Sequence, residues 1–377
     1  LTGPAQDGTL GRFGVVAPGP STTGATKTRV MIIRDNYIYD CLGNGGGIAI
    51  IGAMDTGTEI NTGTQIINNT ITGHHRSGIE IAGMISGTET TPVLIANNNI
   101  TNNGGQLPSD AAQLKYGNGI AFIRIGSDRT SGEPYGIPQY VKIFENVITG
   151  NEKNGIYLGP LVKDLTIEGN TIQDNGEKVG FGTWDGIHID LNELYYVAPN
   201  PLITNFFDNV SINRNNLTGN GAHEVNLLGG IPDSGSVDAS ENWWGAATGP
   251  ATGQVSGAFV TCGWLDGAYP VGTPVAKPVN NTTTGEGFCT IQAAIDAATA
   301  GNTITVAAGT YVEDPVIDKA LTLLGPNAAI NPNTGTRVAE AIILPAFSAP
   351  DPDVCEVMTY IETSGVTIKG FTFDGDN

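Results

Sequence analysis

Cations are scarce in this sequence. Lys and Arg number 17 of 377 residues against 37 Asp and Glu, a formal charge of −20. Recognition of a phosphate backbone needs clustered cations, so this balance argues against nucleic-acid binding. It disfavours an anionic membrane surface for the same reason. Charge of either sign is sparse at 14%, where an ordinary domain carries about 25%. Aromatic residues make up only 7%. No apolar run approaches the roughly 18 residues of a membrane span, so no spanning segment is expected. Cysteine is nearly absent. Cys41, Cys262, Cys289 and Cys355 are the whole set, with no Cys-x-x-Cys pair, which weakens a zinc or dithiol reading.

Glycine, by contrast, is abundant: 53 residues, about 14% and roughly twice ordinary usage. The 40% hydrophobic content is enough for a core, so global disorder is not expected. The length exceeds one ordinary compact core, which leaves two or three domains or one elongated repeat.

A repeat is present. Asn36, Asn69, Asn98, Asn146, Asn170, Asn215 and Asn242 align in strings such as NNTITG, ENVITG and ENWWGA. Three residues before each stands Ile33, Ile66, Ile95, Ile143, Ile167, Ile212 or Ala239. Two residues after each stands Ile38, Ile71, Ile100, Ile148, Ile172, Leu217 or Trp244. This is period-two strand patterning on both sides of an Asn corner. A third strand follows in most copies, as GGIAI, SGIEI, NGIAF, NGIYL and DGIHI. A coil of three short strands cannot bury its apolar face alone, whereas stacked coils can. The expected fold is all-β: a right-handed parallel β-helix, a three-sided solenoid with a ladder of stacked Asn side chains. Asn suits such a corner because it tolerates the left-handed conformation. Trp244 falls in the inward column and is expected to plug the last coil.

The strings ENWWGAATGP (241–250) and TIQAAIDAATAGNTITVAAGTYVED (290–314) resemble those of the pectin-lyase-like β-helix proteins of bacterial and archaeal surfaces. In that family the second string opens a module and the first closes one. The resemblance spans nearly the whole chain and implies the fold rather than an activity, since this fold carries many unrelated functions. The residues agree: Thr290 is a candidate N-cap, and Ile291, Ala294, Ile295 and Ala298 line one face of a short capping helix near 291–299.

The order of these motifs is unusual, because the closing string precedes the opening one. Residues 1–250 are therefore expected to form coils and 251–289 a connector. Residues 290–377 are expected to be the cap and first coils of the next module, or a segment exchanged into a neighbouring subunit. On this reading 377 residues are about one module cut at an unusual point. Cys262 and Cys289 bracket the connector and are candidates for one disulfide. Cys41 and Cys355 are candidates for another, if residue 377 runs into residue 1 or strands exchange between subunits.

Chemistry is thin. The outward positions of the third strand read Ala49, Glu80, Ala121, Tyr157, His188 and Asn226, on a face expected to be solvated. Tyr157 and His188 should lie on adjacent coils about 4.8 Å apart, with Asp190 on the same face as His188. These three are the catalytic candidates for acid–base work on an acidic sugar, although no cation accompanies them. His74-His75 is a corner dipeptide with no third metal ligand indicated. Asp374 and Asp376 offer oxygen ligands for calcium but match no full calcium loop. The favoured reading is a non-enzymatic extracellular structural protein without cofactor, a tandem surface module or a head-to-tail self-assembling fibre. The alternative is a protein that binds or cleaves polysaccharide, as hydrolase or lyase. An adhesin would differ from the first only in its ligand.

Overall fold

The structure is a computed structural model. It describes residues 14–17, 27–28, 30–41, 45–51, 59–60, 63–82, 85–104, 117–123, 138–159, 162–176, 184–191, 207–229, 236–346 and 358–375. The chain divides into two compact units, Leu1–Pro274 and Val275–Asn377. The boundary thus falls inside the expected connector 251–289. Strands Val255–Ser256 and Phe259–Val260 still pair in parallel with the first unit's coils, so the first part of that stretch is β-helix. Its last part, Val279–Asn281 and Glu286–Phe288, is an antiparallel hairpin of the second unit.

The first unit is a parallel β-helix with three sheets of eight, eight and six strands. Successive coils occupy successive places in each sheet. Ile48–Ile51, Ile79–Ala82, Ile120–Ile123, Ile156–Leu158, Ile187–Asp190 and Val225–Leu228 follow one another in the first sheet. The apolar columns read from the sequence are the core. Ile66, Ile95, Ile143, Ile167 and Ile212 pair in register on the second sheet, and Ile71, Ile100, Ile148, Ile172 and Leu217 on the third. All ten are fully buried. Trp244 is 1% exposed and joins this cluster.

The Asn column forms a continuous ladder. Each side-chain amide donates to the next Oδ1: Asn36 to Asn69, Asn69 to Asn98, Asn98 to Asn146, Asn146 to Asn170, Asn170 to Asn215 and Asn215 to Asn242, all at 2.9–3.0 Å. The expected reason for Asn at the corner needs correction. The left-handed residue is the one before it: Asp35, Asn68, Asn97, Glu145, Gly169, Arg214 and Glu241 all have φ of 52–70°. The Asn is retained for its amide, which joins backbone and side-chain groups of neighbouring coils.

The glycine opening the third strand has a steric cause. A Cβ on Gly155 would lie 2.6 Å from Ile172 Cγ2 and 2.7 Å from the Gly186 carbonyl oxygen. The strand can approach the adjacent coil only without a side chain there.

In the second unit, a helix at Ile291–Ala297 is followed by parallel pairs of Thr303–Val306 with Thr322–Leu324 and of Gly309–Val312 with Ala341–Leu344. Thr290 Oγ1 accepts from Ala293 N, and the Glu313 carboxylate accepts from the Ile291 and Gln292 N–H groups. The Lys319 ammonium donates to the Ile295 and Asp296 carbonyls at the other end. Both helix termini are thereby satisfied. The helix ends two residues short of the expected 299, because Ala298 is already extended.

Cys262 and Cys289 are disulfide-bonded and Cys41 is a free thiol. Since Cys41 is free, the first two are partners of one another. The expected Cys41–Cys355 bridge requires a neighbouring copy or a continuation of residue 377 into residue 1, and Cys355 lies outside the described residues.

Candidate functional site

The site lies on the outward row of the first sheet, Ala49, Glu80, Ala121, Tyr157, His188 and Asn226, which pair in that order. The expectation that this row is solvated is overturned: every one of the six is at most 7% exposed. Asp190, further along the His188 strand, is also buried.

The Tyr157 and His188 rings stack, with centroids 5.7 Å apart and planes 10° from parallel. The carboxylate that meets His188, however, is one the sequence reading did not single out. Asp185 Oδ2 accepts from His188 Nδ1 at 2.5 Å and from Asn226 Nδ2 at 3.0 Å. Asp185 Oδ1 accepts from His223 Nδ1 at 2.8 Å and from the His223 N–H at 3.1 Å. Burial pushes the Asp185 carboxyl upward, but the bonds from His188, Asn226 and His223 outweigh it and hold the group below its ordinary value.

The local fold explains why these residues meet. Asp185 stands at the corner that precedes the third strand, in the column occupied on earlier coils by Asn118 and Asn154. There Asn154 Nδ2 donates to Asn118 Oδ1 at 3.0 Å, and the Asp185 N–H donates to Asn154 Oδ1 at 2.8 Å. A carboxylate in this column has no amide proton to donate back to Asn154, and it collects donors on both oxygens instead. His188 and Asn226 each follow a corner residue by three positions, Asp185 and His223 respectively. Coil stacking brings both pairs together.

Cations absent from the sequence reading are found near this row. Arg76 binds Glu80 through two hydrogen bonds of 3.0 and 2.9 Å. Burial nevertheless dominates at Glu80 and pushes its carboxyl up to about 7. One coil before Asp185, the buried Lys153 ammonium lies 4.9 Å from the Trp184 ring centroid.

The remaining candidates fall elsewhere. His74 heads a second ladder: Asn103, Asn151, Asn175 and Asn220 pass amide hydrogen bonds from coil to coil at 2.9–3.0 Å. His74 Nδ1 accepts from the Cys41 N–H and its Nε2 faces the Ile38 carbonyl, so both ring nitrogens serve the fold rather than a metal. Asp374 follows the strand Phe371–Phe373, where its N–H donates to the Ile343 carbonyl. Asp376 lies outside the described residues. Among the described residues no group of three or more His, Cys, Asp or Glu is placed to hold a metal ion. No helix there is long and apolar enough to cross a membrane.

Comparison of the chain with protein families, with curated proteins and with solved structures finds no match.

Proposed function

We propose that the chain is an extracellular structural protein, a pectin-lyase-like β-helix module of a tandem surface protein or of a head-to-tail fibre. The observation that carries this reading is the unbroken amide ladder from Asn36 to Asn242 over fully buried Ile columns. Such a stack is built for rigidity along its axis, since each coil is held by its neighbours. The disulfide between Cys262 and Cys289 supports an oxidising compartment. At one edge of the first unit, Ile32–Arg34 and Tyr37–Tyr39 end their sheets with Ile32, Tyr37 and Tyr39 exposed. Within the second unit, Tyr360–Ile361 and Phe371–Phe373 end theirs with Tyr360, Ile361 and Phe373 exposed. Open parallel edges with apolar side chains are templates for further coils, and a contact of one such edge with the other is heterologous and does not close. Sedimentation and electron microscopy over a concentration series test the fibre form. Filaments are expected, and a strictly monomeric particle at the highest concentration refutes it.

A second reading, binding or cleavage of a polysaccharide, is favoured by one observation: a buried His188 oriented by Asp185. A panel of acidic polysaccharides tests it, with cleavage or retention expected to be lost in His188→Ala.

A further inference from the structure

The last described coil of the second unit repeats the pattern of the first unit's coils. Residues 367–375 read TIKGFTFDG, against TIEGNTIQD at 166–174. Ile368 thus stands in the column of Ile167, Phe373 in that of Ile172, and Phe371 in that of the ladder residue Asn170. The corner agrees: Gly370 is left-handed at φ 82°, as Gly169 is at 70°. The Gly325 N–H donates to the Lys369 carbonyl just as the Asp35 N–H donates to the Ile67 carbonyl. The phase agrees as well. Phe371–Phe373 corresponds to a third-sheet strand, so a first-sheet strand is due next. Val15–Ala17, the first described strand of the first unit, belongs to the first sheet.

Both ends lack a neighbour among the described residues. Phe373 pairs with the fully buried, inward Ile343, yet Phe373 is 43% exposed. In the ladder, every later Oδ1 accepts from the N–H and the amide of the Asn one coil earlier. Asn36 is exposed, and its Oδ1 has no such donor among the described residues.

We propose that the last coil of one copy seats on the first coil of a second copy in a single register. Ile368 lies over Ile33, Phe373 over Ile38, and the Phe371 N–H donates to Asn36 Oδ1. The Gly370 N–H then meets the Arg34 carbonyl, which takes the place that the Ile67 carbonyl holds for Asp35. A slip of one residue would turn Ile368 and Phe373 out of the core, and a slip of two would leave Asn36 Oδ1 without its donor. Lys369 falls opposite Arg34, a like-charge pair that salt screens, so the seam tightens as ionic strength rises. The inference rests on the fibre reading above and fixes the register of its seam.

The test is disulfide trapping in the full chain, in a Cys41→Ser, Cys355→Ser background. Thr372 and Tyr37 are register partners at this seam, about 4.8 Å apart, a Cα separation that a disulfide spans. Tyr37 and Tyr39 are exposed and Thr372 is half-buried, so substitution there spares the core. After mild oxidation, Thr372→Cys with Tyr37→Cys is expected to give a ladder of linked copies on a non-reducing gel, increasing with salt. Thr372→Cys with Tyr39→Cys, two residues out of register, is expected to link at least about tenfold less, since its Cα separation exceeds the disulfide range. Filaments whose first pair does not link, equal linkage of the two pairs, or linkage that falls as salt rises overturns the register and leaves the fibre intact. Linkage confined to single chains overturns the seam between copies. A strictly monomeric particle at the highest concentration removes the fibre reading and the seam with it.

Discussion

Truncating Asn146 to alanine tests the ladder where it is most enclosed. Asn146 Oδ1 accepts from the backbone N–H and the side-chain amide of Asn98, both at 2.9 Å. Its own amide donates to the Ile95 carbonyl and to Asn170 Oδ1, again at 2.9 Å, and to the Phe144 carbonyl at 3.2 Å. After truncation the Asn98 amide keeps the Ile66 carbonyl, and Asn170 Oδ1 keeps the Asn146 N–H. The Asn98 N–H loses the side-chain oxygen it donates to. One buried orphan donor costs about 1–3 kcal/mol, and the other lost bonds add roughly 1 kcal/mol each at most, so about 3 kcal/mol is expected. Asn36, at the exposed end, donates its side-chain amide to the Arg34 carbonyl and Asn69 Oδ1. Its truncation leaves groups that water can reach, and less than about 1 kcal/mol is expected. All four tryptophans, Trp184, Trp243, Trp244 and Trp264, lie in the first unit, so urea unfolding followed by tryptophan fluorescence reports that unit alone. Equal losses in Asn36→Ala and Asn146→Ala, or a loss under about 0.5 kcal/mol for Asn146→Ala, would refute the argument that the buried amide column holds the coils together.

Other perturbations separate the electrostatic and covalent contributions. The Glu80 carboxyl is raised from 4.5 to about 7, so its stabilising contribution is full below 4.5 and is lost as pH rises through 7; at about 1.4 kcal/mol per unit the loss is about 3 kcal/mol. Glu80→Gln is expected to flatten the urea midpoint over that window, and an unchanged pH profile contradicts the assignment. Asp185 is lowered from 3.8, so its contribution is present above that value and is lost as pH falls through the lower folded value; Asp185→Asn should flatten the acid limb instead. The Cys262–Cys289 bond closes a loop of about 27 residues, and its reduction is expected to cost about 3 kcal/mol in the chain-entropy account. Proteolysis between the two cysteines, compared with and without reductant, measures this, and an identical cleavage rate would count against it.

The regular part of the fold was legible because each coil repeats the same physical requirement. Ile at three residues before and two after each Asn marks strands whose alternate side chains must enter one core. The second ladder was missed although it stands five residues after the first: Asn98 and Asn103, Asn146 and Asn151, Asn170 and Asn175, Asn215 and Asn220. Its upper positions are Cys41 and His74 rather than Asn, which hid the column. The left-handed residues were assigned one position late because a corner of mixed Asp, Asn, Glu, Gly and Arg has no single side-chain signature, while its positive φ is a backbone property. The burial of the outward row was not legible either, since covering a strand face depends on segments distant in sequence.

The candidate site was half legible for a related reason. Tyr157 and His188 follow from register, because equal offsets from successive corners place them on adjacent strands. Asp185 did not follow from a search for paired carboxylates, because its partners are imidazoles and an amide. The signal was a broken rule. Ser77, Asn118 and Asn154 precede the third-strand glycine on successive coils, and each can both donate and accept along the column. Asp185 takes the same place but can only accept, so its side chain returns no bond to Asn154, and donors from residues 188, 223 and 226 converge on it. In a repeat, a substitution that removes one side-chain link of a ladder has to be satisfied by other contacts, and these contacts fix the orientation of His188 and Asn226. Departures from a column's hydrogen-bonding type are therefore a better guide to chemistry in such a fold than catalytic residue types searched for singly.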